Sequence, residues 1–181
     1  MNFQHGYFVA VLMLLALSEC RSVDIFEEVA KNSMEGIKKA LQETDSINAR
    51  GPGHQTPLMN AVLTGKATAV KYLLRKGADV TIGEKDGYTP MHGAGFQGRA
   101  KIGQMLINHG LDPRDKHSDG YEPIQRACWG QEARHTETVR MFLDNGVWDN
   151  AIQDSCLNSP NARTRKLISD FAEVMQQQQD L

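Results

Sequence analysis

Residues 87–112 read GYTPMHGAGFQGRAKIGQMLINHGLD, and the pattern of this stretch recurs along the chain with a period of about 33 residues. Its Thr89-Pro90-Met91 has counterparts in Thr56-Pro57-Leu58 and in Glu122-Pro123-Ile124. A fixed period of this length predicts stacked copies of one supersecondary unit rather than a single globular core. Stacks of this kind present extended binding surfaces to partners.

The residue types within the stretch predict a helix, a turn, a second helix and a hairpin-like loop. Thr89 is a candidate N-cap whose hydroxyl would accept a backbone N–H of the first turn, and Pro90 presets φ at the first helical position. Gly98 breaks the chain, a second helix follows from about Ala100, and Gly110 supplies the left-handed residue after it. Tight turns between units are predicted at two Asp-Gly pairs, Asp86-Gly87 and Asp119-Gly120.

These repeats resemble the ankyrin repeat over about residues 23–170. The family motif is Thr-Pro-Leu-His, then Ala, a central Gly and a terminal Gly-Ala-Asp. One copy reads Thr56-Pro57-Leu58-Met59 with Ala61, Gly65 and Gly77-Ala78-Asp79, and the next reads Thr89-Pro90-Met91-His92 with Ala94, Gly98 and Gly110-Leu111-Asp112. The resemblance implies an all-α solenoid of stacked helix-turn-helix repeats with hairpin loops and degenerate caps at both ends.

The repeat period also sets the domain boundaries. We expect an ankyrin-repeat domain over residues 21–175 and a polar tail at 176–181. The domain would consist of a cap at about 23–50, repeats at about 51–83, 84–116 and 117–152, and a C-terminal cap at about 153–175. In the third repeat Glu122 replaces the motif Thr, so we expect local hydrogen bonds to be lost there. The path of residues 147–160 stays open, because no Asp-Gly turn occurs in them.

The first 20 residues differ from the rest of the chain. Tyr7 to Leu17 is an unbroken apolar run of eleven residues, too short for a bilayer, which needs about 20, but suited to the core of a secretory signal. No Lys or Arg precedes the run. We expect a cleaved signal peptide at 1–20 and a secreted or lumenal protein. An uncleaved anchor and a cytoplasmic location are the alternatives.

Two cysteines, Cys128 and Cys156, remain once residues 1–20 are removed. A pair of cysteines in a secreted chain can form a disulfide. Each can equally serve as a small buried apolar residue. The sequence leaves both interpretations open.

Composition and motifs argue against chemistry on this chain. The net charge of −2 and pI of about 6.3 give no basic excess for nucleic acid, and no phosphate-binding glycine loop occurs. Residues 115–120 have the spacing of a calcium loop, but the twelfth position from Asp115 is Arg126 rather than Glu. We therefore expect no enzyme activity, cofactor, metal, nucleic acid or small-molecule substrate, and membrane contact only if the apolar run is retained.

Large apolar residues recur where the resembled family is usually polar. Leu63, Phe96 and Trp129 follow one another at intervals of one repeat period, as do Tyr88 and Tyr121. Together they predict an aromatic ladder along one side of the stack, with the composition of an interface centre. The alternative is internal packing, with Trp129 folded under its own turn and the tyrosines packed against the loops.

The function we expect is protein–protein interaction. The ladder would bind another protein or a peptide on the concave face and loop tips, without catalysis. Two alternatives use the same face or the N-terminal segment: a regulatory or inhibitory subunit of an enzyme, and a membrane-tethered scaffold if the apolar run is kept.

Overall fold

The computed structural model describes residues 23–43 and 46–179, and the predicted signal peptide at 1–20 lies outside them. The described residues form ten α-helices and no strand: α1 Ile25–Lys31, α2 Met34–Glu43, α3 Pro57–Leu63, α4 Ala67–Arg75, α5 Pro90–Phe96, α6 Ala100–Asn108, α7 Pro123–Cys128, α8 Ala133–Asp144, α9 Asn150–Leu157 and α10 Ala162–Gln179. A 3₁₀ turn spans Pro52–His54. The predicted all-α class is confirmed.

The helices form five successive pairs that stack into two layers. The odd-numbered helices pack in series from α1 to α9, and the even-numbered helices pack in series from α2 to α10. Hairpin loops join the second pair to the third and the third to the fourth, and their backbones close with the Glu84 N–H on the Tyr88 carbonyl at 3.0 Å and the His117 N–H on the Tyr121 carbonyl at 3.1 Å. This is the predicted solenoid with hairpin loops.

The core repeats with the sequence. Ala61, Ala94 and Ala127 are fully buried at the same position of α3, α5 and α7, so neighbouring helices approach closely at these small residues. At Gly95 the approach is closest, because a Cβ there would overlap the carbonyl oxygen of Pro123 and lie 3.0 Å from its carbon. The stack therefore depends on a missing side chain at Gly95.

The two motif threonines act differently at the starts of their helices. Thr56 caps α3 by accepting the Met59 N–H at 3.1 Å. The prediction that Thr89 caps α5 with its side chain is wrong, because its hydroxyl donates to Asp115 Oδ2 at 3.0 Å and lies 2.9 Å from His92 Nδ1. The hydroxyl thus joins α5 to the following loop.

The expected loss of hydrogen bonds at Glu122 is only partial, because its Oε2 is buried without a hydrogen-bond partner among the described residues while other bonds form around it. The Glu122 N–H donates to Gln125 Oε1 at 2.9 Å, and the Glu122 carboxylate accepts from Arg114 Nη2 at 3.3 Å. The side chain of Gln125 thus satisfies one free backbone donor at the start of α7, and an ion pair replaces the motif threonine.

The C-terminal cap is longer than its predicted boundaries. Helix α9 begins at Asn150 and fills the stretch whose path was open. Helix α10 continues to Gln179, beyond the predicted boundary at 175 and into the predicted tail, as expected for glutamines, which are good helix formers. A disulfide between Cys128 and Cys156 joins α7 to α9. Within residues 23–43 and 46–179, no helix combines the length and apolarity needed to cross a bilayer.

Candidate partner-binding surface

Three of the five ladder residues line one cleft on the face of the odd-numbered helices. Leu63, Tyr88 and Phe96 border a cleft of about 340 Å³. Phe96, the last residue of α5, is 59% exposed. Gly93 lies in the cleft wall, and a Cβ there would be 3.2 Å from both Leu63 Cδ2 and Met59 Cε. The side chains of Leu63 and Met59 therefore lie close against the backbone of α5 at Gly93, in the wall of the cleft.

The other two ladder residues form a separate aromatic pair. The rings of Tyr121 and Trp129 meet edge to face, with centroids 5.0 Å apart. Both residues are about two-fifths exposed, and Trp129 follows the last residue of α7. Edge-to-face pairs hold both rings in a defined orientation.

Arg126 on α7 connects the cleft to this pair. Its side chain is 9% exposed, and its guanidinium carbon lies 4.8 Å from the centre of the Tyr88 ring, 5.3 Å from that of Tyr121 and 4.6 Å from that of Trp129. These are distances at which a cation is attracted to an aromatic face. One buried cation therefore links three of the five ladder residues.

Sequence reasoning missed Arg126 as part of the site and considered it only as a failed calcium ligand. A signal was present, because the same position of the two preceding repeats holds Asn60 and Gly93. An arginine on an inner helix, where the repeat otherwise has a small residue, predicts a specific partner for its charge.

Asp119, at the tip of the following hairpin, is that partner. Its carboxylate accepts hydrogen bonds from Arg126 Nη2, from the Tyr88 hydroxyl at 3.0 Å and from the Tyr121 N–H at 3.2 Å. His117 Nδ1 lies 3.1 Å from it. Burial alone would raise the pKa of Asp119, but these hydrogen bonds, that of Arg126 first, hold the pKa well below its usual range. Asp119 is therefore ionised across the physiological range.

Tyr88 is fixed in place by both its ring and its hydroxyl. Its ring stacks on that of His117 with centroids 3.9 Å apart. The hydrogen bond to Asp119, together with burial, raises the pKa of Tyr88. Tyr88 therefore borders the cleft and also holds two hairpins together, whereas Phe96 has most of its surface free.

His92, the motif histidine, lies behind the cleft and is 2% exposed. Burial lowers its pKa, and Asp115, whose Oδ2 is 3.9 Å from His92 Nδ1, opposes that shift without reversing it. The imidazole is therefore neutral at physiological pH. It supports the wall of the cleft and offers little to a ligand.

The cysteine pair and the residues with calcium-loop spacing do not form a reactive site in the described part of the chain. Cys128 is bonded to Cys156 and so has no free thiol. In the described part of the chain, no cluster of His, Cys, Asp and Glu has the arrangement of a metal site. The surface has an apolar cleft, exposed aromatic rings and one arginine held by an aspartate. These features are typical of protein–protein interfaces.

The sequence matches a family model of the repeat and two individual proteins. A family model described as ankyrin repeats (3 copies) matches residues 12–117 and 58–154. The Notch-regulated ankyrin repeat-containing proteins of Homo sapiens and Mus musculus are each 34% identical to this chain over 69 residues. That similarity covers 35% of this chain and 60% of each relative, so the chain spans less than two thirds of their length. Because the family model covers most of the sequence, this chain belongs to the ankyrin-repeat family, whose repeats generally mediate protein–protein interaction.

Proposed function

We propose that this protein binds another protein through the ladder surface, defined as Leu63, Tyr88, Phe96, Tyr121 and Trp129, and that it does so without catalysis. The observation that carries the proposal is the exposure of Phe96, 59% of whose surface is free at the edge of an apolar cleft. A large apolar side chain exposed beside a concave surface is typical of an interaction site. Burying it against a partner would stabilise the complex.

The partner that fits is a protein segment with an apolar side chain for the cleft. Met59, Leu63 and Phe96 provide apolar walls around it. The carboxylate of Glu84 also borders the cleft. It suits the backbone N–H donors of a bound segment.

The surface is held in place before any partner arrives. Arg126 and Asp119 fix the rings of Tyr88, Tyr121 and Trp129 through the contacts described above. A surface that is already ordered loses little conformational entropy on binding. This favours recognition by a rigid surface over folding around the partner.

The test compares the protein with Phe96→Ser/Trp129→Ser. Proteins captured from a native extract by the wild type would be identified and made recombinantly, and their Kd values would be measured against both forms. We expect the double variant to bind at least about thirtyfold more weakly, since truncating a central aromatic costs about 2 kcal/mol or more. Circular dichroism and melting establish that the variant is folded.

The matched control is Val174→Ser on α10, which removes another apolar side chain that is 50% exposed but lies outside the ladder surface. It should bind as the wild type does. Equal affinity of the wild type and the double variant would overturn the proposal. A double variant that no longer folds would show that the aromatics serve internal packing, the alternative interpretation.

We also propose that the protein works in an oxidising compartment, outside the cell or in the secretory lumen. The Cys128–Cys156 disulfide supports this, because structural disulfides persist mainly in such compartments. The experiment is sequencing of the mature N-terminus from the secreted fraction, where an end near Arg21 is expected. An intact Met1 on a protein confined to cells would contradict the proposal.

A further inference from the structure

Helix α9, the first helix of the C-terminal cap, is packed more sparsely than α5 and α7. It buries only Ile152 and Cys156, whereas α5 and α7 each bury six residues. Its first turn is held by an ion pair between Asp149 and Arg114. Cys156 is the buried residue at the other end of α9, where Arg165 of α10 also donates to the Ser159 carbonyl at 2.6 Å.

The disulfide joins the ends of two inner helices. Cys128 is the last residue of α7, Cys156 is the last residue but one of α9, and both are fully buried. The residue after Cys128 is Trp129, which belongs to the ladder surface. One covalent bond thus anchors both the end of α9 and the backbone from which Trp129 projects.

The other helix of the cap is held by contacts that do not involve the disulfide. Thr164 on α10 shares a hydrogen bond of 2.8 Å with Thr136 on α8. The Asn161 side chain donates to the Glu132 carbonyl at 3.1 Å, and Leu167 and Ile168 are buried. These contacts hold α10 on α8 without the disulfide, so we expect reduction to loosen α9 from α7 and to leave α10 in place.

We propose that the Cys128–Cys156 disulfide is a redox-dependent latch that keeps the Trp129 end of the ladder surface in its binding conformation; this inference rests on the function proposed above. A dithiol reductant would open it by exchange. One thiolate of the reductant attacks one protein sulfur, forms a mixed disulfide with it and releases the second protein sulfur as a thiolate. The other thiol of the reductant then attacks the mixed disulfide and releases the first protein sulfur. The products are two protein thiols and the oxidised, disulfide form of the reductant.

Burial sets the rate of this exchange. Neither sulfur is accessible while α9 is packed on α7, so the reductant must wait for local opening of the cap. The latch should therefore survive brief contact with a reductant and open during long exposure. In the oxidised form the Trp129 end stays ordered.

The first measurement is hydrogen exchange of the full chain carrying Cys20→Ser, before and after prolonged incubation with dithiothreitol. We expect amides of residues 150–157 to exchange about tenfold faster or more after reduction, because their local opening becomes easier. Amides of residues 162–179 should exchange at their original rate. Cys128→Ala/Cys156→Val, which keeps apolar volume at both sites, should match the reduced form and not respond to dithiothreitol.

The second measurement is the Kd of a fluorescent peptide selected on the oxidised protein from a displayed random-peptide library. We expect reduction, and the Cys128→Ala/Cys156→Val variant, to weaken binding by about tenfold, within the usual range for coupling between two sites. An unchanged Kd would overturn the latch, as would unchanged exchange at residues 150–157.

The two proposals fail in different ways. If oxidised Phe96→Ser/Trp129→Ser loses the peptide while reduction of the wild type changes neither exchange nor Kd, the latch is wrong and the ladder surface remains the binding site. If the oxidised double variant binds the peptide as well as the wild type does, the ladder surface is not the binding site. The proposal that the disulfide controls that surface is then wrong as well.

Discussion

Gly93 on α5 and Arg126 on α7 occupy the same position of two successive repeats, with opposite effects on the surface. Gly93 has no side chain and lies in the wall of a cleft bordered by Leu63 and Phe96. Arg126 fills the equivalent space and is surrounded by aromatic rings. The repeat thus fixes where a side chain lies in the stack but leaves open what that side chain does.

The same two helices also differ two residues further along, at Gly95 on α5 and Cys128 on α7. Gly95 allows α5 and α7 to pack closely, whereas Cys128 at the equivalent position forms a disulfide to α9. The α5–α7 contact therefore relies on the absence of a side chain, and the α7–α9 contact relies on a covalent bond. Substitutions at the two positions should separate these two ways of holding neighbouring repeats together.

The largest expected effect is that of removing the disulfide. It closes a loop with a sequence separation of 28, and a cross-link of that span stabilises a protein by about 3.5 kcal/mol in the chain-entropy model. Chemical denaturation of the oxidised protein and of Cys128→Ala/Cys156→Val should differ by about that amount. Equal midpoints would mean that the noncovalent contacts of α9 suffice.

A slightly smaller loss is expected for Gly95→Ala. The new Cβ would overlap the backbone of Pro123, which cannot rotate away, so α5 and α7 must separate at a cost of about 3 kcal/mol. The matched control is Gly93→Ala, whose Cβ would meet only the flexible ends of Leu63 and Met59. We expect it to stay within about 1 kcal/mol of the wild type, since Ala favours the helix. Equal losses for the two variants would contradict this account.

Most of the fold could be predicted from the sequence because the stacked core repeats. The buried alanines recur at 61, 94 and 127, so period and motif identify the helix pairs. The C-terminal cap was harder to predict, because α9 has no Asp-Gly turn before it and buries only Ile152 and Cys156. A helix with so few apolar residues carries little periodic signal.

Thr89 and Glu122 provide the next comparison, since they occupy the same motif position. Thr89→Val removes the hydroxyl that contacts Asp115 and His92 and leaves buried His92 Nδ1 without that partner, so we expect a loss of about 1.5 kcal/mol in the free energy of unfolding. Thr89→Ser keeps the hydroxyl and should lose much less. Matching midpoints for the Val and Ser variants would show that the hydroxyl contributes nothing.

The site was less predictable than the fold, for a physical reason. The five ladder residues follow the repeat period, so the sequence could place them on one side of the stack. Their division into a cleft and an aromatic pair depends on Arg126, which departs from the repeat, and on its partner Asp119. Contacts between a helix and the tip of a hairpin have no periodic signature.

The smallest effect is a pH dependence that tests this partnership. The pKa of Asp119 is lowered in the folded protein, so its contribution to stability is fully present above the unfolded value of about 3.9 and is lost as pH falls through the folded pKa. Asp119→Asn should therefore be less stable than the wild type at pH 7, and the difference should shrink below about pH 4, where the Asp119 carboxyl of the unfolded chain begins to protonate while that of the folded protein stays ionised. Other carboxylates titrate equally in both proteins, so the difference between their melting temperatures isolates Asp119. A difference that does not shrink between about pH 4 and about pH 2, or that is absent at pH 7, would show that the ion pair with Arg126 does not hold the hairpin. In that case the Arg126 end of the surface would be ordered by ring packing alone, and the contrast with Gly93 would rest on filled volume rather than on charge.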